Sequence, residues 1–180
     1  MQFQKFIESI LIVDFGSQVT KLIARRVRDL GVHSEIINPK EVKKIKDYSK
    51  FKGIIFSGGP SSVTKSKYQR VPKHIFDKKI PILGICYGLQ LISKVYGGKI
   101  KSSNKRREFG RAFIFKKNQS LLTKNFFSSR VAVWMSHEDT VVKLPKDFKS
   151  IAFTKDSKLT IIENKKKNIY GVQFHPEVTH

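Results

Sequence analysis

Residues 81–98, Pro-Ile-Leu-Gly-Ile-Cys-Tyr-Gly-Leu-Gln-Leu-Ile-Ser-Lys-Val-Tyr-Gly-Gly, place a short apolar run, a sharp break and a helical pattern in succession. Pro81 to Ile85 is too short for a helix and has no polar side chain, as a strand buried on both faces requires. Leu89, Leu91, Ile92 and Val95 then follow on a helix that Gly97 and Gly98 terminate. Three similar strands come earlier. Ile10 to Phe15 (ILIVDF) stops at Gly16 and leads into Val19, Leu22, Ile23, Val27 and Leu30 at helical spacing, with Gly31 closing the pattern. His33 to Asn38 reads as a second strand before Pro39, followed by a short amphipathic helix over Glu41 to Tyr48. Gly53 to Phe56 (GIIF) is a third, breaking at Ser57-Gly58-Gly59-Pro60, and another helix is expected around Tyr68 to Asp77. Short apolar strands alternating with helices predict an α/β fold whose mostly parallel central sheet is covered on both faces.

The pattern changes near residue 99. Ala112 to Phe115, Val131 to Trp134, Ser150 to Phe153, Leu159 to Glu163 and Tyr170 to Phe174 are strand-like stretches between polar turns such as Lys155-Asp156-Ser157 and Lys165 to Asn168. This half is expected to be β-rich and antiparallel or mixed. With no internal repeat or low-complexity linker, residues 1–180 read as a single α/β domain.

Composition narrows the class. At 39% hydrophobic and 11% aromatic residues, a chain of 180 residues can bury a sizeable core, which excludes wholesale disorder. The apolar runs fall well short of the roughly 20 residues a membrane helix needs. The first ten residues, MQFQKFIESI, have neither the h-region of a signal peptide nor the Arg-rich face of a transit peptide, so the expected compartment is the cytoplasm. The net charge of +22 raises nucleic-acid binding as an alternative. Yet the lysines are dispersed: Lys43, Lys44 and Lys46, Lys65 and Lys67, Lys78 and Lys79, Lys105 to Arg107, Lys116 and Lys117, and Lys165 to Lys167 sit on separate stretches. A specific nucleic-acid partner is not expected from such a pattern, only weak, salt-sensitive association with polyanions.

Cys86 is the only cysteine, which excludes an internal disulfide and a cysteine-based zinc site. It is either buried filler or a nucleophile. Its setting, Gly84-Ile85-Cys86-Tyr87-Gly88 between strand and helix, favours the second: it is the thiol form of a nucleophile elbow. There the turn lifts the side chain off the sheet edge, and the helix N-terminus activates the thiol while offering N–H groups to an oxyanion. A thiolate needs a base. Of His33, His74, His137, His175 and His180, His175 stands out, because Pro176 biases it toward an extended backbone that lets Glu177 share its side. Glu177 could then hold the imidazole tautomer, or His175-Pro176-Glu177 could be an ordinary surface turn. Ser57 to Pro60 could bring a backbone N–H to an oxyanion or simply turn the chain. Trp134-Met135-Ser136-His137-Glu138-Asp139 reads as a polar loop after a strand, with metal binding or a second base as weaker options.

Taken together, SGGP at 57–60, GICYGLQ at 84–90 and HPE at 175–177 resemble the class I glutamine amidotransferases. More narrowly, DFGSQ at 14–18, LIARRVR at 22–28, WMSH at 134–137 and GVQFHPEVTH at 171–180 are similar to the N-terminal glutaminase domain of the GMP synthases. The resemblance implies a flavodoxin-like parallel sheet and a Cys86, His175, Glu177 triad that hydrolyses glutamine to glutamate and ammonia. It implies an oxyanion hole at the backbone of Gly59 and Tyr87, and a glutamine site at Gln90 with the backbone around Ser136 and His137. The ammonia would aminate XMP to GMP on an ATP-pyrophosphatase partner, a domain or subunit where ATP and Mg are expected; the glutaminase half itself needs no cofactor and no metal. Val19 and Glu138 depart from the family pattern, an aromatic residue after GSQ and a Gly after WMSH being usual. The family also continues beyond VTH, so the chain reads as a glutaminase domain cut short at its C-terminal end. The alternative is an inactive homologue with an interaction or regulatory role.

Overall fold

A computed structural model describes residues 7–102, 108–127 and 130–178. Lys105 to Arg107 of the basic clusters, and Thr179 and His180 of the last motif, lie outside the described residues. The chain opens with β1 (Ser9–Val13), α1 (Thr20–Asp29), β2 (His33–Ile37), β3 (Phe51–Phe56), β4 (Ile82–Ile85) and α2 (Tyr87–Val95). The turn into α1 is built by Asp14, whose carboxylate accepts from the Gly16 N–H at 2.8 Å and the Thr20 hydroxyl at 2.7 Å. Gly31 follows the helix at φ +77°, a conformation that costs a residue without Cβ little.

The two other helices expected in this half are single 3₁₀ turns. Between β2 and β3 only Val42–Lys44 winds. Val42 and Tyr48 reach the core and the Tyr48 hydroxyl donates to the Val42 carbonyl, so one turn buries what is apolar there and a short isolated helix would be marginal. Between β3 and β4 only Lys73–Asp77 winds, because Pro72, at φ −58° and ψ 139°, interrupts any helix begun at Tyr68.

The second half runs β5 (Lys99–Ser102), β6 (Glu108–Lys116), β7 (Arg130–His137), β8 (Asp139–Lys143), β9 (Lys149–Phe153), β10 (Ile161–Asn164) and β11 (Ile169–Val172). Nine of the described strands form one sheet, in the order β2-β1-β3-β4-β11-β10-β9-β6-β7. The pairs from β2 through β4 to β11 are parallel and those beyond are antiparallel. β11 is therefore the fifth parallel strand, supplied by the otherwise antiparallel half. The Trp134–Asp139 stretch expected as a loop is instead mostly strand: β7 runs to His137 and β8 starts at Asp139. β5 pairs with β8 as a separate ribbon packed near α2; with Ile100 its only apolar residue, β5 carries no strand signal of its own.

Side-chain alternation divides the core between the two faces. Leu11, Val13, Ile54 and Phe56 pack with Leu89 and Ile92 of α2, whereas Ile12, Ile85 and Val172 pack with Ile23 and Ala24 of α1. No helix among the described residues is long and apolar enough to cross a membrane.

Candidate functional site

Cys86 occupies the junction of β4 and α2 with φ 50° and ψ −101°, a left-handed conformation costing about 1–3 kcal/mol in a residue bearing a side chain. Strand pairing and helix initiation hold it there: its N–H donates to the Val172 carbonyl at 2.8 Å and its carbonyl accepts from the Gln90 N–H at 3.2 Å. The flanking glycines serve packing. A Cβ on Gly84 would lie 2.5 Å from the Gly88 backbone, and one on Gly88 would lie 2.5 Å from the Phe56 carbonyl oxygen. The Cys86 sulfur lies 3.6 Å from the Ser136 carbonyl oxygen and 3.8 Å from Gln173 Nε2.

His175 reaches this point because β11 runs parallel to β4 with Val172 opposite Ile85, so the residues after both strands emerge at the same sheet edge. Its N–H is anchored on the Trp134 carbonyl at 3.0 Å. Gly58 lies beneath the pair, where an added Cβ would sit 2.9 Å from His175 Cε1 and 3.7 Å from Cys86 Cβ. His175 Nδ1 and Glu177 Oε1 are 2.8 Å apart, and both side chains are buried. Burial alone would lower the His175 pKa, but hydrogen bonds to Cys86 and Glu177 and the negative charge of both override it, and it is pushed up to about 10. At neutral pH the ring is held as imidazolium.

A cleft of about 600 Å³ opens over Cys86 and His175, and Gly59, Gln90, Ser136 and His137 also line it. Gly59 packs so tightly that a Cβ would come within 2.5 Å of the Phe15 carbonyl oxygen. Gln90 donates from Nε2 to the Asp139 carbonyl at 2.9 Å, tying α2 to β8. Tyr87 is not part of the cleft wall; its hydroxyl donates to the Gln69 carbonyl, burial pushes its phenol up to about 12, and only its backbone, at the start of α2, stands next to Cys86. Val19 and Glu138 stand in the wall. His33 and His74 lie elsewhere, near Ser9 and Tyr48. No group of three or more His, Cys, Asp or Glu side chains suited to a metal ion gathers among the described residues.

Sequence reasoning missed three contributors. Gly58 was legible only as one of two turn glycines. Gln173 lies in the quoted GVQFHPE stretch without a signal of its own. Glu108 meets His137 only across the β6-β7 pairing, where its Oε2 is 3.1 Å from Nε2 of the ring while Oε1 accepts from the Thr154 hydroxyl at 2.8 Å.

Residues 11–180 match the family model described as glutamine amidotransferase class-I. The chain is 50% identical over 179 residues to a glutamine-hydrolysing GMP synthase of Brachyspira hyodysenteriae, covering 98% of this chain and 34% of that protein. It is 49% identical to the corresponding protein of Wigglesworthia glossinidia brevipalpis, covering 95% of this chain and again 34% of the relative. The chain thus spans about a third of the length of the curated relatives it matches. Among solved structures it superimposes with a TM-score of 0.85 on a candidate GMP synthase subunit of Thermoplasma acidophilum, 29% identical, over 97% of this chain and 86% of that one. A glutamine amidotransferase of Thermotoga maritima, 22% identical, shares the fold at a TM-score of 0.80, over 95% of this chain and 77% of that one.

Proposed function

The chain belongs to the class-I glutamine amidotransferases, and from that premise we propose that it hydrolyses glutamine through Cys86, His175 and Glu177 and supplies the ammonia for amination of XMP to GMP. The observation that carries this reading is the convergence at one cleft of a cysteine held at positive φ and an imidazole braced by a buried carboxylate.

The Cys86 thiolate attacks the side-chain amide carbon, and the carbonyl oxygen takes up the negative charge between the Gly59 and Tyr87 backbone N–H groups. Collapse of this adduct breaks the C–N bond, His175 gives its proton to the departing nitrogen, and ammonia leaves a γ-glutamyl thioester. Neutral His175 then takes a proton from water as it attacks the thioester; glutamate departs and the thiolate is restored. Glu177 stabilises the imidazolium and keeps its Nε2 side toward the sulfur. Gln90 and the backbone at Ser136 and His137 hold the amino-acid end of glutamine. No metal or organic cofactor enters this half-reaction. ATP and Mg belong to an ATP-pyrophosphatase domain or subunit, the proposed partner, which receives the ammonia and stimulates its release. The proposed compartment is the cytoplasm, with neither membrane nor specific nucleic acid as a partner.

The test is covalent labelling by a glutamine-derived diazo-ketone, followed by intact mass. One adduct is expected, lost in Cys86→Ala and slowed roughly 10²- to 10⁴-fold in His175→Ala, the usual worth of a positioned acid-base group. Glutamate release should rise when a matching synthetase, XMP and ATP are added. An inactive homologue would form no adduct, and rapid labelling of His175→Ala would remove the base assignment.

A further inference from the structure

Cys86 has a polar neighbour that the triad does not use. Gln173 follows β11 directly and is fully buried. Its backbone N–H is committed to the Thr160 carbonyl at 2.8 Å, so its side chain is aimed independently of that bond. Nε2 lies 3.8 Å from the Cys86 sulfur, within reach for an N–H donating to sulfur, while Oε1 is buried with no partner among the described residues. A wholly buried amide that leaves its carbonyl unsatisfied makes poor structural filler, since an unpaired buried acceptor is a net cost. The contact with sulfur is the polar interaction this side chain has in return.

The other groups around the sulfur give that contact its meaning. The Ser136 carbonyl, 3.6 Å away, is an acceptor: it suits a protonated thiol, which can donate to it, and opposes a thiolate, which cannot. The Gln173 N–H has the opposite preference, because a donor binds an anionic sulfur more strongly than a neutral one. His175 favours the thiolate as well, but it must surrender its proton during turnover, whereas the amide N–H never leaves.

We propose that Gln173 is a further catalytic residue, whose side-chain N–H holds the Cys86 sulfur as thiolate beside the His175 imidazolium and keeps it aligned for attack and for departure. The proposal rests on Cys86 being the nucleophile of the preceding reading. It predicts a specific handicap without the donor: thioester formation slows, and thioester hydrolysis, in which the thiolate is the leaving group, slows with it. Glutamine affinity is untouched, since Gln173 is not part of the cleft wall.

Because the chain has a single cysteine, thiolate ultraviolet absorbance and iodoacetamide alkylation both report on Cys86 alone and need no turnover of glutamine. Gln173→Met, which keeps the length and removes the donor, should retain the wild-type melting profile. It should show less thiolate at neutral pH and alkylate about tenfold more slowly, the scale of losing one hydrogen bond to a charged group. With the diazo-ketone, the maximal labelling rate should fall while half-saturation stays put. Equal thiolate absorbance and equal alkylation in a folded variant would overturn the proposal. Should Gln173→Met fail to fold, the wild-type protein decides: the Gln173 side-chain amide NMR signals should move as Cys86 titrates and again when it is alkylated, and signals indifferent to both would refute the contact. Failure to hydrolyse glutamine, with the amide still following the sulfur, would count against the glutaminase reading alone.

Discussion

Two histidine-glutamate pairs meet at the cleft, and they are built in opposite ways. His175 and Glu177, just after β11, are two residues apart and meet at 2.8 Å through Nδ1, which leaves the rest of the ring to Cys86. His137 and Glu108 face each other across the antiparallel β6-β7 pair at the sheet edge and meet at 3.1 Å through Nε2, while Nδ1 is buried without a partner among the described residues. Thr154 on the far side of Glu108 completes a closed polar chain. The first pair keeps one side of its imidazole toward the Cys86 sulfur. The second is turned inward and pins β7 to β6, holding the Ser136 backbone where the cleft needs it. Residue identity is thus the same in both: one ring leaves an edge to the Cys86 sulfur, and the other leaves its second nitrogen in the buried interior.

The comparison breaks most sharply at Glu177. Replacing it with Gln removes the charge that holds His175 as imidazolium, and labelling should slow roughly 10²- to 10⁴-fold, as for loss of the orienting carboxylate in comparable triads. The pH sign follows from the raised pKa. With its midpoint lifted from 6.5 to about 10, the ring stays protonated through neutrality and loses its charge only near pH 10, so the alkaline limb of glutamine hydrolysis should fall there. Nitrogen NMR of the imidazole should show that midpoint in the wild type and a lower one in Glu177→Gln; an unchanged midpoint would contradict the pairing.

A smaller effect is expected at Gly58. In Gly58→Ala the new Cβ meets His175 Cε1 at 2.9 Å and must push the ring away from the sulfur. Labelling should slow by roughly tenfold to a hundredfold, the scale of an ångström's misplacement, with His175 still paired to Glu177. A rate equal to wild type would mean that the ring has slack the geometry does not suggest.

The smallest effect on chemistry is expected at the second pair. Glu108→Ala strips an acceptor from both His137 and Thr154 and should cost about 1–3 kcal/mol of unfolding free energy by chemical denaturation. The labelling rate at saturating analogue should stay within about threefold of wild type, with any loss in half-saturation. A hundredfold drop in that rate would place Glu108 in the chemistry and dissolve the distinction.

How much of this was legible in the sequence depends on how local each feature is. The elbow could be read from Pro81 to Gly88 alone, because a short apolar strand, a break and a helix within a few residues leave the cysteine little choice of position. α1 was legible through its spacing and Gly31. The expected helices at 41–48 and 68–77 were not there, since helical spacing says nothing of how much apolar surface a connection must bury, and Pro72 weighed more than the pattern around it. β5 and β8 lacked a signal because their sides are set by the neighbours they find, not by strong alternation of their own.

The amino-acid sequence by itself determined the setting of Cys86 between strand and helix, the parallel strands β1 to β4 and the close spacing of His175 with Glu177. These follow from steric limits and hydrophobic period acting over a few residues. Only the tertiary structure decided that β11 inserts beside β4, that Val172 stands opposite Ile85, and that His175, Gly58 and Gln173 therefore surround the Cys86 sulfur. The same holds for Glu108 and His137, joined by β6-β7 register across 29 positions of chain. Such pairings carry a loop-closure entropy repaid only when the whole sheet buries its faces, so their specification is spread over many residues and is written in no single stretch.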